Sequence, residues 1–469
     1  LRSYRGRCGT VESARADRAA APAPQRACLV SYYFPPNDTI ASLRAAKAAK
    51  YLPQFGWEPV VVARRWFHEG RLSREFFGKP NWDLYEDSTE RAVPVLVDAA
   101  RPPGPVDGLY ASVRDAGMRS RSRIVRLGSM PVRAGLSTLQ RLVEPFPDEF
   151  AYWSRVAIEA ALRDDDVRSA RVVWSSSPPL ASHVVAGAIA SRLELPWIAD
   201  FRDLWAARWA PWWRIGISLR RGAMRRLERR ILRRASLIIT ISEPMAEQLR
   251  EVHGAKRVVT LPNGFDPDDY PATEPSADRY FTIRYTGSVY PGLQTPQLLF
   301  AALARLIEDR SIAHDDLRVE FYGSQDPRIE SLAADYGVTS LVAVLPRVPV
   351  QQSARLQREA TMLLVLNQVQ KEARGILTGK IFEYVGARRP ILAIPDSQKV
   401  VRDLIVRTRA GRVCDRVDEV AEFLRSCYGR WLAGGRHLAW EYDDDERRRL
   451  SRREQAGTLA RLFRAVIEA

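Results

Sequence analysis

The sequence predicts an α/β protein made of two doubly wound parallel sheets that face each other across a cleft. Three observations lead there. Short β-branched runs alternate with helical apolar patterns along the chain, as expected for parallel strands joined by crossover helices. The 469 residues exceed what one hydrophobic core usually holds, and a 46% hydrophobic content is ample for two. A Pro- and acid-rich piece without apolar periodicity, Asp266 to Ser276, separates two series of such runs.

The expected strands of the first series are Ala27 to Tyr33, Pro59 to Ala63, Val93 to Val97, Val172 to Ser175, Trp197 to Asp200, Leu237 to Ile241 and Val258 to Leu261. Those of the second are Phe281 to Thr286, Arg318 to Tyr322, Leu341 to Leu345, Met362 to Leu366, Ile391 to Ile394 and Gly411 to Cys414. The domain reading is a disordered extension over 1–26, an N-terminal Rossmann-like domain over 27–265 and a linker over 266–279. A C-terminal Rossmann-like domain over 280–440 and a terminal helix over 441–469 complete it, with Leu450, Leu459, Leu462, Phe463 and Val466 available for burial.

Composition narrows the function classes. Cys8, Cys28, Cys414 and Cys427 form no Cys-x-x-Cys pair, which argues for free thiols rather than a zinc site or disulfide framework. No run approaches the ~20 apolar residues of a spanning helix, and the first 26 residues lack an apolar signal core. The expectation is a cytoplasmic protein. A net charge of +16 calls for an acidic partner or surface. It is concentrated in two stretches, Arg114 to Arg141 with seven arginines and Arg202 to Arg234 with eleven. The second also carries Trp205, Trp209, Trp212 and Trp213 and an intermittent apolar face (Met224, Leu227, Ile231), so it reads as a peripheral contact with an anionic membrane. No recognition helix, zinc or RNA-binding signature accompanies the charge, which argues against nucleic acid.

The most informative segment is Gly375-Ile376-Leu377-Thr378-Gly379-Lys380-Ile381-Phe382-Glu383-Tyr384. A small-residue turn opens a helix, a lysine sits in its first turn, and a carboxylate follows three residues later. Free N–H groups and a lysine at a helix start suit an anion, and a carboxylate one turn further suits sugar hydroxyls. Together they suit a nucleoside diphosphate. Ligands of open α/β sheets sit beyond the carboxyl ends of the strands. Tyr33-Phe34-Pro35-Pro36, Ser175 to Pro179, Asp200-Phe201-Arg202-Asp203, Ser242-Glu243 and Gly287-Ser288 all occupy such places.

These residues carry a family resemblance. The helix segment is similar to the donor-site helix of the bacterial group 1 (family 4) glycosyltransferases of the GT-B fold. Tyr32 to Pro36 with Arg44 and Lys50 to Pro59 resemble that family's opening strand, loop and first helix, and Trp197 to Trp205, Ile239 to Glu243, Leu261 to Asp266 and Tyr285 to Ser288 follow in the family's order. The resemblance implies transfer of a sugar from a nucleoside diphosphate donor to a glycan or lipid-linked acceptor at the cytoplasmic membrane face. On the donor side it implies Lys380 with the Thr378 and Gly379 N–H groups on the phosphates, Glu383 on the ribose, Gly287 and Ser288 against the donor, and Arg347 flanking the base. Tyr33, Phe34, Pro35 and Arg44 fall on the acceptor side. Asp200, Arg202 and Asp203, with His183 as an outside candidate, are the catalytic candidates.

No Asp-x-Asp stands in a metal-binding context, so neither metal nor cofactor is expected, and the nucleotide sugar enters as substrate. The chain also departs from the family pattern. Gly375 stands where many relatives have a second glutamate, with Glu372 displaced by three residues. The loop Val289 to Leu293 lacks the usual basic residue, leaving Lys371 or Arg374 as substitutes, and Arg202 stands where many have a histidine. Two other readings therefore accompany the first: a nucleotide-sugar epimerase-like enzyme of the same fold, and a noncatalytic nucleotide-sugar-binding protein.

Overall fold

The computed structural model describes residues 24–37, 39–68, 71–72, 80–98, 150–203, 215–254, 257–270, 279–323, 326–368, 375 and 377–469. The expectations for Arg114 to Arg141, for the four tryptophans Trp205 to Trp213, and for Lys371, Glu372 and Arg374 lie outside the described residues.

In the N-terminal domain the order is β1 (Gln25–Val30), α1 (Ile40–Tyr51), β2 (Trp57–Arg64), the short hairpin β3 (Phe67–His68) and β4 (Arg71–Leu72), α2 (Trp82–Thr89) and β5 (Val93–Val97). It continues with α3 (Ala151–Arg163), α4 (Asp165–Arg168), β6 (Val172–Ser177), α5 (Ala181–Leu193), β7 (Trp197–Phe201), α6 (Ile215–Arg234), β8 (Leu237–Thr240), α7 (Glu243–His253) and β9 (Val258–Thr260). The C-terminal domain holds β10 (Phe281–Thr286), α8 (Gln297–Glu308), β11 (Leu317–Tyr322), α9 (Pro327–Asp335), β12 (Val342–Leu345), α10 (Val350–Glu359) and β13 (Met362–Leu366). There follow α11 (Gly379–Ala387), β14 (Ile391–Ile394), α12 (Lys399–Thr408), β15 (Gly411–Val413), α13 (Val417–Ala433), α14 (Asp444–Arg449) and α15 (Arg452–Ile467).

The strands form two parallel sheets, seven-stranded in the order β5-β2-β1-β6-β7-β8-β9 and six-stranded in the order β12-β11-β10-β13-β14-β15. Because each sheet is covered by helices on both faces, its strands read as continuous apolar runs whose alternate residues enter different layers. Cys28, Val30, Val60 and Val62 join one layer, while Ala27, Leu29, Val61 and Ala63 join the other. The second sheet divides the same way, with Leu364, Leu366, Leu392 and Ile394 on one face and Leu363, Val365, Ile391 and Ala393 on the other.

Three boundaries differ from expectation. β1 begins at Gln25 rather than beyond residue 26, because Gln25 N–H donates to the Gly56 carbonyl and Arg26 pairs with Glu58 at 2.8 Å. The first residues of the expected linker are a packed hinge. Asp266 is buried against Lys47, Lys50 and the Tyr51 hydroxyl of α1, and Lys50 also reaches Asp268 at 2.6 Å. Burial alone would raise the Asp266 carboxyl; Lys47, Tyr51 and Lys50 outweigh that and hold it below the usual carboxylate range. The acids that look like a solvated linker are thus neutralised by lysines of a helix distant in sequence.

The third difference is at the C-terminus, where two helices replace one. Ser451 caps α15 by accepting a hydrogen bond from the Glu454 N–H at 3.2 Å, so Leu450 stays in the C-terminal core while Leu459, Ala460 and Phe463 pack into the N-terminal one. The S-x-x-E spacing of a capping box is the readable signal for that break. The chain crosses between domains twice at one place. Phe265 N–H donates to the Leu450 carbonyl at 3.2 Å, and Arg452 N–H donates to the Phe265 carbonyl at 2.8 Å.

Candidate active site

The carboxyl edges of the two sheets face each other, and the start of α11 in one domain touches the start of α1 in the other. A methyl group on Gly379 would come within 2.5 Å of Ile40 Cδ1, so the N-termini of the two helices meet across the cleft. Neither helix has a capping side chain at its Ncap residue, Thr39 or Thr378, or an acid in its first turn. Two positive dipole ends therefore point at one space.

On the C-terminal side, Lys380 Nζ donates to the Tyr285 hydroxyl at 2.7 Å and the Ser288 carbonyl at 3.2 Å, and stands 4.5 Å from the centre of the Tyr285 ring. Every direct partner is neutral. Burial therefore lowers its ammonium to about 8, against which Glu383 provides partial compensation. Gly287 adopts φ +112, and a Cβ there would collide with Lys380 Cε, so this glycine is required both by backbone conformation and by the lysine's path. Ser288 is exposed beside it. Gly323, at φ +86, packs its α-carbon region against Gly287 and the backbone of Arg347; the Arg347 side chain is exposed at the same edge. Gly323 was not among the sequence candidates, although a glycine directly after a predicted strand is the signal that marks it.

Glu383 faces α10 and the hinge. Its Oε2 accepts from Gln357 Nε2 at 3.1 Å, and Gln357 also donates to the Thr286 hydroxyl and accepts from the Tyr270 hydroxyl at 2.8 Å. Burial raises the Glu383 carboxyl, opposed by Gln357, Lys380 and Arg452. It lines a small cavity, about 40 Å³, with Lys47, Asp269 and Arg452. The Arg388 that could have paired with it instead binds Asp444 at 2.7 Å.

The N-terminal side is built differently. Arg44 and Asp200 form a two-point pair, Nε to Oδ2 at 2.5 Å and Nη2 to Oδ1 at 3.1 Å, and Arg44 also donates to the carbonyls of Leu261 and Pro262. Asp200 is fully buried. This corrects the expectation for both: they clamp α1 to the ends of β7 and β9 and are not presented to a ligand. Phe34 and Pro35 are also buried, Phe34 in the core, because the loop after β1 folds inward; of that trio only Tyr33 stays half-exposed, its ring stacked on Trp66 at 5.9 Å.

His183 is likewise placed in the core. Trp197 Nε1 donates to Ser175 Oγ at 2.8 Å, which leaves the Ser175 proton for His183 Nδ1 at 2.8 Å, and the imidazole packs on Phe201. Burial, with a smaller effect of Arg202, pulls it down to about 3, so the ring stays neutral. Arg202 and Asp203 remain half-exposed at the edge. The sequence candidates brought together are thus Thr378, Gly379, Lys380, Gly287 and Ser288 on one wall and Tyr33, Arg202 and Asp203 on the other.

Gly375 shows what replaces the missing glutamate position. Its carbonyl accepts from Ser242 Oγ at 2.7 Å, and a Cβ at its φ of +87 would press on Pro244 at 3.0 Å, so this backbone is an interdomain contact.

Residues 41–264 match the glycosyl transferase 4-like domain. Over 155 residues, 29% of this chain, the sequence is 28% identical to a D-inositol 3-phosphate glycosyltransferase of Geodermatophilus obscurus; the match spans 34% of that relative's length. Among solved structures, a glycosyltransferase from Rickettsia africae is similar at a TM-score of 0.56 and 11% identity, over 95% of this chain and 99% of that one. Anabaena HepE in complex with UDP is similar at 0.54 and 12% identity, over 94% and 100%. The sucrose-phosphate synthase of Thermosynechococcus elongatus gives 0.54 and 13%, over 95% and 99%. The shared two-domain architecture is the GT-B fold.

Proposed function

From a premise of glycosyl transferase 4-like membership for residues 41–264, we propose that this protein is a glycosyltransferase. It moves a sugar from a nucleoside diphosphate donor to a glycan or lipid-linked acceptor in polysaccharide or glycoconjugate biosynthesis. The observation that carries the reading is the pairing of Lys380 and Glu383, one turn apart on α11, whose uncapped N-terminus meets that of α1 across the cleft. The UDP held by Anabaena HepE and the activity named for the Geodermatophilus relative support it.

In the transfer, the bond from the anomeric carbon to the diphosphate oxygen breaks and its electron pair leaves with the nucleotide. A bond to the acceptor oxygen forms, and the acceptor hydroxyl passes its proton to the departing diphosphate oxygen. Lys380 and the first-turn N–H groups of α11 stabilise charge on the departing diphosphate, and Glu383 accepts from ribose hydroxyls. Arg347, exposed at the end of β12, flanks the base. Asp203, at the cleft edge, orients the acceptor hydroxyl. The reading takes the transfer as metal-independent, because no Asp-x-Asp stands in a metal-binding context in the sequence. A panel of nucleotide sugars assayed for hydrolysis and for transfer to lipid-linked acceptors tests the reading. Turnover that needs an acceptor supports it; epimerisation without one, or binding without turnover, contradicts it.

The finer placement, on the inner face of an anionic membrane, rests on α6. Arg225, Arg226, Arg229, Arg230, Arg233 and Arg234 are exposed, and none is in an ion pair among the described residues. Met224, Ile231 and Leu232 turn into the core. The apolar side of the described part of this helix is thus used by the protein itself, and there docking rests on charge. At about 1 kcal/mol per arginine near the surface, sedimentation with anionic vesicles should be strong at low salt and lost at high salt. No binding at low salt would remove this placement. No described helix is long and apolar enough to cross a membrane.

A further inference from the structure

Arg202 follows β7 at the carboxyl edge of the first sheet, where its side chain reaches the end of the neighbouring β6 and the loop after it. Its guanidinium is held from one side: Nε donates to the Ser177 carbonyl at 3.1 Å and Nη2 to the Pro178 carbonyl at 2.9 Å. Those two bonds fix the plane of the fork. They leave its end, Nη1 and the second Nη2 hydrogen, without a hydrogen-bond acceptor among the described residues.

The nearby buried carboxylate, Asp200, is already engaged at both oxygens by Arg44. A further cation adds to the local charge. Arg452, in the first turn of α15, is buried and, among the described residues, hydrogen-bonds only to neutral oxygens, Gln455 Oε1 at 3.2 Å and Asn263 Oδ1 at 3.4 Å. Burial lowers Arg202 to about 10, with Asp200 and Asp203 opposing and Arg44 adding to the shift, and burial, Arg44 and Arg202 lower Arg452 to about 9 against Asp200 and Asp266. Arg284, by contrast, is buried with a carboxylate of its own, Glu320 at 2.7 Å. A pre-oriented guanidinium with a free end, among cations not fully compensated, is suited to an anion supplied by a ligand.

We propose that Arg202 binds an anionic group of the acceptor, a phosphate or a carboxylate, so that this enzyme's acceptors are charged close to the reacting hydroxyl. The inference rests on the glycosyltransferase reading. It assigns the anion to the acceptor because Arg202 stands on the wall opposite Lys380, beside Tyr33 and Asp203, while the donor diphosphate has its own cation and helix N-terminus. The planar fork, held by two backbone carbonyls, selects a ligand with two oxygens on one centre over a neutral hydroxyl.

The test is calorimetry on the full chain saturated with whichever of UDP, GDP, dTDP or ADP it binds most tightly. Farnesyl phosphate and methyl glucuronide are titrated as anionic probes, with farnesol and methyl glucoside as their neutral counterparts. The expected result is binding of one anionic probe and not of its neutral counterpart, which also identifies the group as phosphate or carboxylate. Arg202→Gln should weaken that probe about tenfold or more, and Arg202→Lys by less, with nucleotide affinity unchanged. Thermal melting shows whether the glutamine variant is folded; if it is not, the lysine variant decides, a loss of about threefold or more supporting the role. Neither anionic probe binding the loaded wild type, or equal binding by a folded Arg202 variant, overturns the proposal. Failure of every nucleoside diphosphate to bind the wild type would instead overturn the glycosyltransferase reading, and this inference with it.

Discussion

The two sheets meet the cleft with edges of opposite character. On the N-terminal edge the charges are largely spent on the protein itself: Arg44 locks onto Asp200, and Lys47 and Lys50 onto Asp266. On the C-terminal edge glycines at positive φ, Gly287 and Gly323, let backbones approach, and Lys380 rests on neutral oxygens. Apart from Arg202 and Asp203 at its rim, the first edge holds the domain and the hinge in register; the second is left unsatisfied for a ligand. Substitutions should therefore cost stability on one side and affinity on the other.

The largest effect is expected from Arg44→Ala. It leaves the fully buried Asp200 uncompensated, and breaking a buried pair costs about 3–5 kcal/mol, to be read from urea unfolding. A loss below ~1 kcal/mol would mean that the N-terminal edge is not the structural one. Asp203→Asn, next along that edge, should lower turnover by ~100-fold with donor affinity unchanged, as loss of a positioned polar group does. Turnover within a factor of about two of wild type would assign Asp203 to packing.

Gly287→Ala crosses the comparison. At φ +112, and with its Cβ on Lys380 Cε, it should cost about 1–3 kcal/mol of stability and displace the lysine, so nucleotide affinity falls with it. Affinity preserved alongside a lower melting temperature would separate this glycine from the site.

The C-terminal edge should also show in the pH dependence of binding. Lys380, depressed to about 8, is charged in the empty protein below that pH, and a bound diphosphate favours its charged form. Nucleotide affinity should be flat below about 7 and fall above 8, approaching about one log unit per pH unit. Stability of the empty protein runs the other way. Between about 8 and the model-peptide value of 10.5, the unfolded lysine holds a proton that the folded one has lost, so this group makes stability rise with pH in that window. Calorimetry from pH 6.5 to 9.5, with Lys380→Arg as the variant that should flatten the profile, checks the sign. The smallest effect belongs to surface pairs such as Arg155–Glu159 on α3, where Arg155→Ala should change stability by less than ~0.5 kcal/mol.

How legible each edge was in the sequence follows from the same contrast. Strands buried on both faces leave uninterrupted β-branched runs, so all thirteen long strands were expected within a few residues; only the two-residue hairpin strands β3 and β4 were not. The Thr378 to Glu383 site is local, a helix start with its residues one turn apart, and a single segment displays it. The ion pairs are not local. Arg44 meets Asp200 across 156 residues, so each looked like a free functional group in its own segment. His183 belongs to the same class, since only the Trp197–Ser175 relay shows where its ring is fixed. Arg452 and Gly323 were missed because one acts through a chain crossing and the other through its lack of a side chain.

The central claim is that α11 carries the donor site, and calorimetry with nucleoside diphosphates on Lys380→Ala and Glu383→Gln tests it most directly. Lys380→Ala removes a charge-assisted contact worth about 1.5–3 kcal/mol, so affinity should fall roughly ten- to hundred-fold, with a smaller loss for Glu383→Gln and no change in melting temperature beyond about 2–4 °C. Unchanged affinity in both folded variants would contradict the account, removing the donor site from this helix and with it the main structural reason for reading the chain as a glycosyltransferase.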